Sequence, residues 1–136
     1  MPVWVYATAG LCSIAVAQPS APDQAASVVN AGNVPDPYST FQAGVRMFEG
    51  DFFHQAGEIF DEWLQFFPEH ELHQNVSEYA IWARGEHAVS ESDYSKAAAS
   101  FSQLLRDYPQ SKHRLDHAFG EAWSRFYLFI PHYLFR

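Results

Sequence analysis

Apolar residues recur at steps of three, four and four residues in two stretches: Phe53, Ala56, Phe60 and Leu64, then Tyr94, Ala97, Phe101 and Leu105. Because an α-helix turns once in about 3.6 residues, this spacing lays a stripe along one helical face. A turn signal precedes each stripe, Asp51 in the first and Ser92-Asp93 in the second. A proline that cannot continue a helix follows each, at Pro68 and Pro109. Sliding the chain over itself by 41 residues superimposes more than the stripes, bringing Gly44 onto Gly85, Phe53 onto Tyr94, Ala56 onto Ala97, Phe60 onto Phe101 and Pro68 onto Pro109.

Each unit therefore reads as two helices. The first begins at Asp36, a capping residue followed by Pro37 at the first helical position, and Asn75 with Glu78 three residues later is the expected cap for its counterpart in the second unit. Small Ala56 and Ala97 let paired helices approach while Phe60 and Phe101 fill the groove between them. A third first-type helix is expected from about Lys112 to Phe129, with the aromatic end from Phe126 to Phe135 exposed on an isolated chain. The fold expected is all-α: two full helix-turn-helix units plus a C-terminal capping helix, about five helices over residues 38–136.

The N-terminal part is different in character. Residues 1–17 contain an uncharged apolar run from Val3 that ends in Ala15-Val16-Ala17, the small-x-small pattern read by a signal peptidase, with a short buried apolar segment as the alternative. The run is too short for a stable transmembrane span. Leu11 before Cys12 does not suit the lipid-attachment pattern. Residues 18–37 hold four of the eight prolines among Ala, Ser, Asn and Gly and read as a flexible linker.

Composition narrows the partners. A net charge of −8, with 16 acidic against 8 basic side chains and no basic cluster, disfavours nucleic acid, whose phosphates need Lys and Arg. Aromatics at 17% suit apolar contacts with a protein or peptide. Cys12 is the single cysteine, so a chain cleaved after Ala17 has no thiol for a disulfide, a metal or a nucleophile.

Gly44, Phe53, Ala56, Phe60 and Pro68, with Gly85, Tyr94, Ala97, Phe101 and Pro109, resemble the small, aromatic, Ala, aromatic and Pro signature of the tetratricopeptide repeat family. The endings Phe67-Pro68 and Tyr108-Pro109-Gln110-Ser111 look most like the periplasmic repeats of the Tol-Pal-associated cell-division coordinator and of outer-membrane assembly lipoproteins. The period of 41 exceeds the family's usual length of about 34, and Trp63 stands where the signature prefers a small residue. The resemblance implies a non-catalytic scaffold or adaptor of the bacterial envelope, periplasmic or otherwise exported, without cofactor or small-molecule substrate. It also implies that the first helices line a concave protein-binding face: Tyr38, Phe41, Val45 and Phe48, then Tyr79, Trp82, Glu86 and Val89. Phe41, Phe48 and Trp82 are the expected anchors, unless these aromatics pack on neighbouring helices instead. Two other readings stay open, an accessory domain or fragment of a larger protein such as an enzyme, and a self-assembly module.

Candidate chemistry is sparse. His113 and His117 are one turn apart on a helix with Asp116 nearby, yet they lack a third strong ligand and read as a solvated polar first turn. His70-Glu71-Leu72-His73 has the wrong spacing for a zinc-protease helix. Adjacent Asp61 and Glu62 read as solubilising charges, and the sequence has neither a phosphate-binding Gly-rich loop nor a Gly-x-Ser-x-Gly elbow. No catalytic or metal site is assigned.

Overall fold

The computed structural model describes residues 35–130, so the apolar run and most of the linker lie outside the described residues. Five helices follow one another: α1 (Pro37–Glu49), α2 (Phe53–Phe66), α3 (His73–Ser90), α4 (Tyr94–Asp107) and α5 (Arg114–Phe129). Each packs chiefly on its neighbours in sequence, while α1 with α3 and α3 with α5 share smaller contacts. Among the described residues the fold is all-α, built of adjacent packed helices.

The local chemistry explains the boundaries. Asp36 Oδ2 accepts from the Ser39 amide at 2.8 Å, and Pro37 occupies the first turn, where its missing N–H costs nothing. Helix α1 therefore begins at Pro37, the first helical position expected from the sequence. At the α1–α2 turn the Phe52 amide donates to Met47 O and the Asp51 amide to Phe48 O, with Asp51 at φ 65°. The α3–α4 turn repeats this 41 residues on: Asp93 donates to Ala88 O, Ser92 to Val89 O, and Ser92 has φ 59°. Both are Schellman endings with a non-glycine residue in the left-handed position. Asp93 also caps α4 through the Lys96 amide at 3.1 Å; α2 has no side-chain cap.

Asn75 does not cap α3. The helix starts at His73, because the chain leaving Pro68 turns through bonds from His70 N to Phe67 O and from His73 N to His70 O, while the His70 imidazole accepts from the Leu72 amide at 3.1 Å. Ser111 serves the corresponding turn before α5, accepting from the His113 amide at 3.0 Å. The residues that lengthen the 41-residue period extend α3 to 18 residues against 13 for α1.

Two apolar clusters flank α3. Val76, Ala80 and Ala83 meet Ala56, Phe60 and Trp63 of α2, whereas Ile81, Trp82 and Ala88 meet Ala97, Phe101 and Leu104 of α4. Gly44 lies against the Phe60 ring and Gly85 against the Phe101 ring, so each glycine admits the phenylalanine of its own pair. Trp63 is fully buried, and its indole donates to Pro37 O at 2.7 Å, fastening α2 to the start of α1.

Candidate functional site

An opening between helices lies on the side of the first helices. It is a groove of about 610 Å³, walled by Phe41, Gln42, Val45 and Arg46 of α1 and by Asn75, Glu78 and Tyr79 of α3. Ser111, Lys112 and His113 of the turn before α5 close its end. Its α3 wall comes from the first two turns of that helix, and of its residues Asn75 lies in the extension that distinguishes α3 from α1. Three of the eight residues expected on a concave face, Phe41, Val45 and Tyr79, line this groove.

The other expected residues sit elsewhere. Trp82 is 8% exposed, and its ring packs 4.7 Å from Phe48, 5.7 Å from Tyr79 and 4.9 Å from His113. Phe48 and Val89 border the cluster shared with α4, and the Phe48 and Trp82 rings meet at a tilt of 59° within it rather than lining the groove. Glu86 accepts from the Trp82 indole at 3.0 Å, and burial raises its carboxyl pKa above the ordinary value against the lowering effect of that bond. Tyr38 is exposed at the start of α1 and donates its hydroxyl to Glu71. The repeat-signature residues Phe53, Tyr94, Pro68 and Pro109 are structural: Phe53 packs on Phe48, Tyr94 stacks on Tyr127, and the prolines follow the ends of α2 and α4.

A polar chain runs from the groove into the interior. Ser111 Oγ donates to Glu78, Tyr79 OH lies 3.3 Å from His113 Nε2, and Glu78 Oε1 lies 3.5 Å from His117 Nε2. The expected solvated first turn of α5 is not what forms. His117 is fully buried and neither ring nitrogen makes a hydrogen bond. It shares the inward face of α5 with Gly120 and Ser124, lying against Trp82 and Glu78 of α3, while Gly120 lies directly against the Phe101 ring of α4. Burial lowers the His117 pKa, Glu78 opposes that shift, and His113 adds to it. Asp61 is exposed and pairs with Arg84 at 3.0 Å across α2 and α3.

Among the described residues no group of three His, Cys, Asp or Glu side chains converges as metal ligands, and no helix is long and apolar enough to cross a membrane. Comparison of the chain with models of protein families, with curated proteins and with solved structures finds no match.

Proposed function

We propose that this protein is a non-catalytic binding module that holds an extended protein or peptide segment in the groove between α1, α3 and the turn before α5. The observation that carries this reading is the lining itself. Phe41, Val45 and Tyr79 supply apolar lining, and Arg46, Lys112 and His113 line the same groove against the single carboxylate of Glu78. Basic groups in one groove of a chain of net charge −8 favour an occupant that presents a carboxylate beside an apolar side chain. Asn75, Gln42 and Ser111 add hydrogen-bonding groups that suit a peptide backbone.

The tetratricopeptide-like reading belongs to the same proposal. It is supported by matching turns, glycine-phenylalanine contacts and helix ends 41 residues apart. With it goes the expectation of an exported, envelope-associated adaptor, whose support is the apolar run before Gln18 and the resemblance of the repeat endings.

The test is a random-peptide selection against the immobilised protein and an Arg46→Glu, Lys112→Glu variant. Both residues are exposed, so the helices should be retained. Enrichment of peptides with an acidic residue near an aromatic or aliphatic one, lost in the variant, supports the reading. Enrichment unchanged by the variant, or none with the parent, overturns it.

A further inference from the structure

The outward face of α5 is its more apolar one. Inward lie His117, Gly120 and Ser124, while Leu115, Phe119, Phe126 and Phe129 are 84%, 67%, 55% and 69% exposed. With exposed Ala122 they form a stripe at steps of four, three, four and three residues, the spacing of a helix-helix seam. Trp123 stacks on Phe119 and extends the face. Among the described residues no element covers it.

The opposite edge of the molecule has another character. Ser39, Gln42, Arg46 and Glu49 run along exposed α1 at steps of three, four and three, and all are polar. A head-to-tail stack of copies would press the aromatic stripe onto this polar edge, stranding Arg46 and Glu49 against apolar surface. The α5 stripe is instead complementary to itself. About an axis through Ala122, an antiparallel copy sets Phe119 against Phe126 and Leu115 against Phe129, with the smallest side chain where the helices cross.

We infer that α5 is a self-association surface, through which two copies pair around a two-fold axis at Ala122. At about 150–250 Å² per aromatic side chain, the observed exposures supply on the order of 600 Å² per copy. That places the pair at the small end of specific interfaces. The groove of α1 and α3 is lined by a different set of residues from the stripe.

The test is the mass of the full chain in solution from about 1 to about 100 µM, a range that reaches the weak pairing expected of a small interface. It is paired with a Phe119→Glu, Phe126→Glu variant and with disulfide trapping of Ala122→Cys. Mass doubling with concentration in the parent, a monomeric double variant of unchanged helicity, and a bond between Cys side chains at position 122 of two copies are the results expected. A parent that remains monomeric, or a dimer that survives the double variant, overturns the proposal. So does a bond formed within one chain between position 122 and Cys12, which would mean that the N-terminal apolar run occupies the stripe.

Discussion

His117 is buried without a hydrogen bond to either ring nitrogen, beside a Trp82 ring whose centroid is 4.9 Å away. Its depressed pKa means that the folded state prefers the neutral ring. Above the ordinary histidine value of 6.5 both folded and unfolded chains carry it neutral, so its contribution is intact. As pH falls below that value the unfolded chain protonates first and stability is lost. Glu86 acts oppositely, since a raised carboxyl pKa favours folding as pH falls toward the ordinary glutamate range. The difference between parent and His117→Leu in denaturant melts isolates the histidine. The variant should be more stable by about 1–2 kcal/mol at neutral pH, because two desolvated and unpaired nitrogens disappear. Its advantage should widen as pH falls from 6.5. No widening would show that His117 is hydrated or paired in solution.

Glycines separate just as sharply. A Cβ at Gly44 would stand 2.4 Å from the Phe60 ring and one at Gly120 2.5 Å from the Phe101 ring, but one at Gly57 meets nothing nearer than Ala83 Cβ at 3.8 Å. Thermal melts should therefore show Gly57→Ala stabilising by about 0.5–1 kcal/mol through helix propensity. Gly44→Ala and Gly120→Ala should destabilise by about 1–3 kcal/mol through overpacking. The Gly44 and Gly85 register was legible from the 41-residue repetition, because close helix contact needs a small residue wherever an aromatic enters. Gly120 was not. Its partner Phe101 already had an assigned place in the second pair, and nothing in α5 itself marks which side meets α4.

At the scale of elements, turn chemistry was the readable part. Asp36 and Asp93 cap helices, and α2 and α4 stop before Pro68 and Pro109. The start of α3 was misread because Asn75 satisfies a capping pattern, whereas the start is fixed by the preceding turn and the His70 side chain, both non-helical features. Burial of α3 on two faces also hides its period: apolar positions toward α2 and toward α4 fill both sides, leaving no polar stripe to count against. In α5 the exposure expected from Phe126 onward is found at Phe126 and Phe129, but it extends back to Phe119 and Leu115, since the stripe of largest side chains points away from the body of the fold. The two Schellman turns carry a prediction of their own. Asp51 and Ser92 hold positive φ at positions glycine occupies at least cost. Ser92→Gly, measured by thermal unfolding, should gain about 0.5–1 kcal/mol, and Asp51→Gly somewhat less because aspartate tolerates that conformation better. A loss at both positions would mean that these side chains do more than fill the turn.

For the whole molecule, helices that pack mainly on their chain neighbours make stability close to a sum of local terms, so damage at one end should not travel to the other. The groove and the α5 stripe lie in different parts of this series, the first walled by α1 and α3 and the second on the terminal face. The Trp63 indole is the one side-chain hydrogen bond from α2 to the start of α1 among the described residues, at 2.7 Å to Pro37 O, and its ring also fills the cluster shared with α3. Trp63→Phe keeps an aromatic ring there, removes the donor and leaves Pro37 O without it. The expected cost is about 1–3 kcal/mol, from the lost bond and the smaller ring. Hydrogen exchange shows where that cost falls. Amides of α1 should exchange markedly faster in the variant, while those of α4 keep their parent protection below the concentration at which copies pair. If α4 and α1 accelerate together, the helices unfold as one cooperative block, and a ligand held between α1 and α3 would then stabilise the far end as strongly as the near one.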